Sequence, residues 1–263
     1  MVDPKASLTV VIPSRAQESQ LQFLERATQS VRQQTVAANF DIRVLVAVDR
    51  GEQLPVQFCS QIGVECIASD GAGQASALNA AIRHLDDTGY VAFLEDDDQW
   101  ALQYLDFAAR SMQHGDFVSS TQAEFDERGT FLRVNDFPTP SGWFMRQEVL
   151  GKVGVFDESY SFHLDNEWLG RLREAGVRRV HLVEATAPVE MEYAHQVRPW
   201  LAQVLTAGKG LCILARHPNP FPLVNRLIHS RSGMARIATD PVLRELSQAE
   251  YASLVRRYGS VPL

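Results

Sequence analysis

Short apolar runs alternate with amphipathic segments along the first half of the chain. The runs are rich in β-branched residues and too short to form helices, which is typical of strands buried on both faces of a sheet. They span residues 8–12, 42–48, 64–68, 90–94 and 117–119. Between them, apolar residues recur at helical spacing over residues 21–31, 75–85 and 102–112. This alternation predicts a parallel, doubly wound sheet with helices on both faces.

The pattern changes after residue 120. Residues 124–134 predict a hairpin that turns at 127–129. A helix is predicted over residues 164–175, where Gly176 ends it. Further strands are predicted over residues 141–146, 180–183 and 189–193.

The C-terminal part is expected to be helical, because three amphipathic stretches follow one another with prolines between them. They span residues 200–217, 223–232 and 242–258. We therefore expect one domain over residues 1–196 and a helical region over residues 197–263. The domain itself is expected to divide into halves at about residue 120, as 1–120 and 121–196.

Composition excludes several classes of protein. The 263 residues are 45% hydrophobic, enough for a core, which excludes general disorder. A formal net charge of −7 argues against nucleic-acid binding, because phosphate backbones require a basic surface. Three scattered cysteines suit neither a disulfide framework nor a cysteine zinc site. Without a signal-like or membrane-spanning run, we expect a cytoplasmic protein, with peripheral attachment to the inner face of the membrane left open.

Polar clusters follow the predicted strands at positions where ligands bind in open parallel sheets, beyond the carboxyl ends of the strands. The clusters occupy residues 13–15, 49–51, 70–74 and 95–98. If the strands are parallel, all four clusters meet at one edge of the sheet. The sequence contains neither a P-loop nor a nucleophile elbow, so P-loop NTPases and serine hydrolases of that type are not expected.

Four adjacent carboxylates at residues 95–98 give the strongest single signal. Such a run repels itself unless a cation or protons relieve the charge, and carboxylate oxygens are ligands for Mg²⁺ or Mn²⁺. The alternative is helix capping by Asp98, which leaves Glu95 at the strand end unexplained. Capping also suits Asp165 and Glu167 at the start of their predicted helix. Taken alone, His195 is an ordinary polar surface residue.

Five segments, in this order, resemble the family 2 glycosyltransferases with the GT-A fold. They are LTVVIPSR, IRVLVAVDRG, GAGQASALNAAI, VAFLEDDDQW, and the long stretch from GWFMRQEVL to GRLREAG. The resemblance covers roughly residues 8–195. It implies an α/β, Rossmann-like mixed sheet flanked by helices, with a helical C-terminal extension. It also implies a metal-dependent, inverting transfer of a sugar from a nucleotide-diphosphate donor, expected to be a UDP-sugar, to a hydroxyl of a glycan, lipid-linked or other acceptor.

The resemblance also implies roles for individual residues. The positions that match nucleotide-binding residues are Pro13, Ser14, Arg15, Asp49, Asn79, Glu95 and Asp96. Asp97 is the expected ligand of Mn²⁺ or Mg²⁺, and His195 resembles a histidine found near the metal or diphosphate. Asp165 matches the general base of inverting members.

Three positions depart from the family pattern: Glu95 replaces an Asp, Leu164 replaces the Glu before the base, and Arg15 replaces a Tyr. A second register would use Asp96 and Asp98 as the metal-binding pair. The departures leave room for a non-catalytic nucleotide-sugar-binding or scaffolding protein. A sugar nucleotidyltransferase is the third alternative, although the loop after the first strand is neither glycine-rich nor strongly basic.

The C-terminal region is locally basic within an acidic chain. Its basic residues include Arg198, Lys209, Arg216, Arg226, Arg231 and Arg236. In one interpretation the region completes the core. In the other it forms part of the acceptor site, a homodimer contact or a membrane-surface contact, and its charge attracts an anionic lipid-linked or phosphorylated acceptor.

Overall fold

The computed structural model describes residues 5–36, 39–50, 55–86, 89–188, 196, 198–207 and 210–263. Its strands are β1 (Ala6–Ser14), β2 (Phe40–Val48), β3 (Glu65–Ala68), β4 (Tyr90–Phe93), β5 (Gln99–Trp100), β6 (Phe117–Ser120), β7 (Gln122–Asp126), β8 (Phe131–Asn135), β9 (Trp143–Arg146), β10 (Arg179–Val183), β11 (Cys212–Arg216) and β12 (Val224–Ile228). Its helices are α1 (Leu21–Arg32), α2 (Val56–Gln61), α3 (Gln74–Ile82), α4 (Tyr104–Ser111), α5 (Glu148–Val153), α6 (Leu164–Glu174), α7 (Pro199–Ala207), α8 (Gly233–Thr239) and α9 (Pro241–Tyr258). His195 and the strand predicted over 189–193 lie outside the described residues.

The main sheet has eight strands in the order β11-β10-β6-β9-β4-β1-β2-β3. Its strands run parallel except β9, which is antiparallel to both β4 and β6. The sheet is therefore mixed, as the family resemblance implied, rather than wholly parallel, as the pattern alone predicted. The parallel part brings the carboxyl ends of β1, β2 and β4 to one edge.

Helices cover both faces of this sheet. On β1, Leu8, Val10 and Ile12 pack into the core that contains α1 and α4. Val11 points to the opposite face, into the core formed with α3, α5 and α6. Because both faces of β1 are buried, its sequence is a continuous apolar run and does not alternate apolar with polar residues.

A second sheet has four strands in the order β5-β12-β7-β8. The predicted hairpin is confirmed as the antiparallel pair β7 and β8. Strand β12 is parallel to β7 and antiparallel to β5, the short strand that directly follows the acidic run. This sheet therefore joins the C-terminal region to the edge where the acidic residues lie.

The C-terminal region contains strands as well as helices, so the expectation of an all-helical region is wrong for two of its three stretches. Helix α7 ends at Ala207, and β11 then joins the main sheet beside β10. Strand β12 replaces the helix predicted over residues 223–232. Short apolar runs do not distinguish strand from helix, so strand pairing decided both cases. The third stretch forms α9, as predicted, and the domain boundary near residue 197 stays a prediction.

Among the described residues, no helix is long and apolar enough to cross a membrane.

Candidate functional site

Residues 95–98 form a tight turn just beyond β4. The Asp98 N–H closes the turn by donating to the Glu95 carbonyl oxygen over 3.1 Å. The turn directs neighbouring carboxylates to different partners, since the Gln74 amide donates to Glu95 over 2.8 Å and the Ser14 hydroxyl donates to Asp96. These hydrogen bonds fix the directions in which Glu95 and Asp96 point.

Asp98 is a buried structural acid and not a helix cap. Its Oδ2 accepts a hydrogen bond from the Ser141 hydroxyl at 2.6 Å, and its Oδ1 accepts the Leu227 N–H at 3.1 Å. The next helix, α4, begins only at Tyr104, so the capping interpretation of Asp98 is wrong. Asp98 instead connects the acidic turn to β12.

Asp97 lies against His229, the residue that follows β12. The His229 Nε2 is 2.8 Å from the Asp97 Oδ2, and the two side chains are 2% and 21% exposed. On the other side of the ring, Nδ1 accepts the Arg231 N–H at 3.3 Å, so Nε2 carries the proton that faces Asp97. The ring also packs on Phe23, with the centroids 5.7 Å apart.

Glu95, Asp97 and Asp98 each offer a carboxylate oxygen, and the three oxygens lie within 4.8 Å of one another. Within the part of the chain that the structure describes, they are the group of acids able to hold a metal ion. Carboxylate oxygens are ligands that suit Mn²⁺ and Mg²⁺. The alternative register is not supported, because Asp96 bonds Ser14 and does not belong to this group.

Arg226 of β12 places a positive charge inside this acidic group. Its guanidinium is 3.6 Å from Glu124, and its side chain is only 20% exposed. Burial opposes the charge, yet Glu95, Asp98 and Glu124 together raise the pKa of Arg226. Arg226 is thus a built-in counter-ion for the acids that the sequence placed beyond β4.

Burial is the main cause that raises the pKa of several acids in the turn. It raises the pKa of Asp96 to about 7, with Asp97 adding to the effect. It also raises the pKa of Glu95 and, more strongly, of Asp98, while Arg226 opposes the rise in both. The turn therefore has a high affinity for positive charge, whether protons, Arg226 or a metal ion.

The other polar clusters reach the same edge of the sheet. Pro13 and Ser14 end β1 as buried residues, and Arg15 follows them exposed to solvent. Asp49 follows β2, and its Oδ1 accepts the Gly73 N–H at 2.7 Å, directly before α3. Together with the bonds from Ser14 and Gln74 to the acidic turn, this contact confirms that the four clusters converge.

Asn79 lies in α3 with 2% exposure. Its Nδ2 donates to the Phe156 carbonyl and to Glu158, each at 2.9 Å, and its Oδ1 accepts the Phe156 N–H at 2.8 Å. Both amide hydrogens are therefore used to hold the loop after α5. The nucleotide-binding role that the family resemblance implies for Asn79 stays a prediction.

Asp165 lies in the first turn of α6, where its Oδ1 accepts the Asn166 N–H at 2.8 Å. Burial raises the pKa of Asp165 to about 6, partly opposed by His163 and Arg226. Asp165 in turn raises the pKa of Glu95, so the two carboxylates share one electrostatic environment. The preceding Leu164 is 4% exposed in the core, which accounts for an apolar residue at that position.

A cleft of about 470 Å³ opens beside Asp97. Its lining residues are Gln22, Phe23, Arg26, Asp97, Gln99, Phe125, Asp126, Glu127, Gly129, Asn225, Arg226 and Leu227. Helix α1, the β7–β8 hairpin and β12 thus form its walls. Asp97 lines the cleft, whereas the predicted nucleotide-binding residues at the ends of β1 and β2 do not.

Sequence reasoning missed the roles of His229 and Arg226. The run VNRLI, at residues 224–228, lies in a stretch whose apolar spacing predicts an amphipathic helix. As a strand, this run places His229 just beyond its carboxyl end. Ligand-binding residues are expected at that position in a parallel sheet. The local excess of basic residues predicts a basic surface that includes Arg226. In the structure Arg226 is instead close to Glu95, Asp98 and Glu124. Arg198 is likewise paired internally, with Asp136 and Glu184, so neither arginine contributes to an exposed basic patch.

The mixed sheet, with polar and acidic residues beyond the carboxyl ends of its parallel strands, defines an α/β protein of the nucleotide-binding kind. Residues 9–170 match the model of glycosyl transferase family 2. This match covers more than half of the chain, which therefore belongs to that family of glycosyltransferases. A search among curated proteins finds no similar sequence.

Solved structures share the GT-A fold at low sequence identity. TarS 1-349 from S. aureus in complex with UDP is 11% identical, with a TM-score of 0.56 over 96% of this chain and 72% of that one. The mannosyltransferase PcManGT from Pyrobaculum calidifontis, in complex with GDP-Man and Mn²⁺, is 14% identical, with a TM-score of 0.52 over 97% and 76%. A longer TarS structure is 11% identical, with a TM-score of 0.52 over 96% of this chain, which spans only 43% of that one.

Proposed function

We propose that this chain transfers a sugar from a nucleotide-diphosphate donor, with a UDP-sugar as the first candidate, to an acceptor hydroxyl. Family membership supports sugar transfer, and the complexes of similar structures with UDP and with GDP-Man support the class of donor. The observation that carries the proposal is the shared environment of the acidic turn and Asp165, because this reaction needs a charge-stabilising group and a base at one site.

The donor is assigned to the edge of the sheet where β1, β2 and β4 end. Asp49 is proposed to bond the base, and Ser14, Arg15 and Glu95 are proposed to border the ribose and diphosphate. Support comes from the hydrogen bonds that hold these loops together, from Ser14 to Asp96, from Gly73 to Asp49 and from Gln74 to Glu95. Loops that are already held in place lose less conformational entropy when a ligand binds, which favours binding.

A divalent cation fits the chemistry of Glu95, Asp97 and Asp98, and the Asp97 side chain is 21% exposed. His229 is proposed to orient Asp97 through its Nε2–H. Such a cation, when bound, would neutralise negative charge on the departing nucleoside diphosphate. Asp98 already accepts two hydrogen bonds, so we assign it the lesser share of such a site.

Asp165 is proposed to be the general base. Its pKa of about 6 leaves it mostly ionised at neutral pH, yet more basic than an exposed carboxylate. It takes the proton of the acceptor hydroxyl as that oxygen attacks the anomeric carbon, and the bond to the nucleoside diphosphate breaks. A single displacement inverts the anomeric centre. The glycan or lipid-linked acceptor is therefore proposed to bind where its hydroxyl reaches Asp165, a residue that does not line the cleft beside Asp97.

The experiment that tests the proposal is a thermal-shift panel of UDP, GDP, CDP, TDP and ADP, each with and without Mn²⁺. A ligand that binds only the folded state raises the melting temperature by mass action. We expect a Mn²⁺-dependent shift with UDP above all, followed by transfer when UDP-sugars and acceptors are screened.

Asp97→Asn should abolish the Mn²⁺-dependent part of that shift. Asp86→Asn is the matched control, because the Asp86 side chain is 72% exposed, pairs with Arg43 and lies outside the four polar clusters. Absence of any nucleotide shift in the folded, unmodified chain would contradict the proposal and favour the non-catalytic alternative. Equal shifts in both variants would contradict the assignment of Asp97.

Membrane attachment, homodimer formation and an anionic acceptor remain hypotheses for the C-terminal region. Three described members of its basic set, Arg216, Arg231 and Arg236, form no ion pair within the described part of the chain. Arg216 donates to the Ala185 carbonyl, and Arg231 donates to the Ser19 hydroxyl. Binding to acidic vesicles that Arg231→Ala and Arg236→Ala weaken, with Arg244→Ala as control, would support a membrane contact. No binding by the unmodified chain would dismiss it.

A further inference from the structure

Helix α9 contacts α6, the helix that carries Asp165, and the segment that leads into it through two separate sets of residues. Towards the C-terminal end of α9, Arg257 pairs with the buried Glu167 at 3.0 Å, and the Tyr258 ring packs against Gly170. A methyl group on Gly170 would come within 2.4 Å of that ring, which shows how closely the helices approach. These contacts reach Glu167 at the end of the first turn of α6 and Gly170 in the next turn, and they do not involve residues 161–163.

A second set of contacts holds the segment that leads into α6. The Glu250 carboxylate of α9 is 6% exposed. Its Oε1 accepts the Ser161 N–H at 2.7 Å, and its Oε2 accepts the N–H groups of Phe162 and His163 at 2.9 and 3.0 Å. Three consecutive backbone donors therefore depend on one carboxylate from a distant part of the chain.

Ring contacts of His163 add to this arrangement. Its Nε2 lies 3.0 Å from the Ser247 hydroxyl, one turn before Glu250 on α9. Its Nδ1 lies 3.2 Å from Asn166 Oδ1. Residues 161–163 are thus held from α9, and Asp165 follows two residues later in the first turn of α6.

The N-terminus of a helix has N–H groups without partners inside the helix, and a negative charge there is stabilising. The first turn of α6 contains Asp165 and Glu167, and no side chain of the residue before the helix caps it. Glu250 of α9 adds a third carboxylate, bound to the N–H groups of the three residues that lead into the helix. We propose that Glu250 is a positioning residue, which orients the first turn of α6 so that Asp165 faces the acceptor hydroxyl. This inference rests on the proposed function of Asp165 as the base.

Both carboxylate oxygens are needed for this task. Glu250→Gln keeps the size of the side chain but turns one acceptor into an N–H₂ group that faces backbone N–H donors. Glu250→Asp keeps the charge and both acceptors on a side chain one methylene shorter. Small displacements of a catalytic group lower rates steeply, by about a hundredfold for 1 Å.

The test measures Glu250→Gln and Glu250→Asp beside two controls on the same helix. Glu245→Gln makes the same chemical change on an exposed side chain. Arg257→Gln weakens the α9–α6 contact at Glu167 and Glu174 without removing the hydrogen bonds to residues 161–163. The readouts are the melting temperature, UDP affinity with Mn²⁺, kcat for transfer, and amide hydrogen exchange of residues 161–166.

For Glu250→Gln we expect faster exchange over residues 161–166, a loss of kcat of about tenfold or more, and UDP affinity within twofold of the unmodified chain. Glu250→Asp should restore part of kcat. Arg257→Gln should lower the melting temperature and leave kcat unchanged.

Unchanged exchange or unchanged kcat in Glu250→Gln would overturn the inference. So would equal losses of kcat in Glu250→Gln and Arg257→Gln, which would indicate that Glu250 only stabilises the fold. If Asp165 is not the base, the result is different. Asp165→Asn then retains full transfer, while Glu250→Gln still exchanges its amide hydrogens faster over residues 161–166.

Discussion

The imidazole Nε2 of His229 lies 2.8 Å from Oδ2 of Asp97, although the two residues are 132 positions apart in the chain. Strand β12 makes this contact possible, because it runs beside both β7 and β5 and ends one residue before His229. The pair joins the acidic turn to the C-terminal region. The C-terminal strand therefore takes part in the candidate site and does more than cover an edge of the core.

Replacement of His229 by Ala should weaken Mn²⁺-dependent binding of UDP by about tenfold to a hundredfold, the range expected when a group that orients or supplements metal ligands is lost. Titration calorimetry with Mn²⁺ and UDP measures this change. His84→Ala is the matched control, since the His84 ring lies just beyond α3 and contacts the Ala80 carbonyl of that helix at 2.9 Å. Equal affinity in both variants would exclude His229 from the cation site.

The rate of transfer should fall as pH drops through about 6, because the pKa of Asp165 is raised to about 6 and a general base acts only when deprotonated. We expect an acidic limb in the profile of log kcat against pH. Activity in Asp165→Asn should be lower by at least a hundredfold at pH 7.5, while binding of UDP persists. A variant that retains both full turnover and the acidic limb would rule out this base.

Asp165→Asn should also stabilise the fold at neutral pH. The folded-state pKa of about 6 exceeds the ordinary value of 3.8, so the folded protein binds the proton more tightly than the unfolded chain. The ionised carboxylate therefore lowers stability above pH 6, and this effect disappears as pH falls below about 4. We expect a gain of about 1–2 kcal/mol at pH 7.5 and almost none at pH 4.

Thermal melts at the two pH values measure this difference between Asp165→Asn and the unmodified chain. Asp86→Asn serves as the control, because its exposed carboxylate should give no comparable gain at pH 7.5. A stabilisation that is the same at both pH values would point to altered packing rather than to burial of charge.

Arg226→Met should destabilise the protein by about 3–5 kcal/mol at pH 7.5, the range for removing one partner of a buried ionic group. The loss leaves Glu95, Asp98 and Glu124 without their shared cation. At pH 5 the loss should be smaller, because the raised pKa values of Glu95 and Asp98 let protons take the place of the guanidinium. Urea unfolding at both pH values measures the change in the free energy of unfolding. Arg244→Met is the control, because Arg244 is exposed.

Several elements could be predicted from local pattern alone. The runs that became β1, β2 and β4 are continuous and apolar because both faces of the sheet are covered. The helix that became α6 has regular apolar spacing and a glycine after its end. The convergence of the polar clusters followed from one rule, that parallel strands end at the same edge, and the hydrogen bond from Ser14 to Asp96 bears it out.

The C-terminal region resisted prediction for a physical reason. The runs CILAR and VNRLI are five residues long, too short for their periodicity to separate strand from helix. Their structure depends on partners far away in sequence, β10 for one and β7 with β5 for the other. Without β12, local pattern does not place Arg226 among the acids, nor His229, the residue after this strand, beside Asp97.

By itself, the sequence determined the alternation of buried strands and helices, the acidic run beyond β4 and the presence of Asp165 at the start of a helix, because these follow from local periodicity and from adjacency in the chain. Only the tertiary structure decided which partner each acid has. Pairing of β12 brought Arg226 and His229 to the acidic turn, and docking of α9 brought Glu250 to residues 161–163. Contacts of this kind depend on long-range packing, which no local pattern of residues encodes.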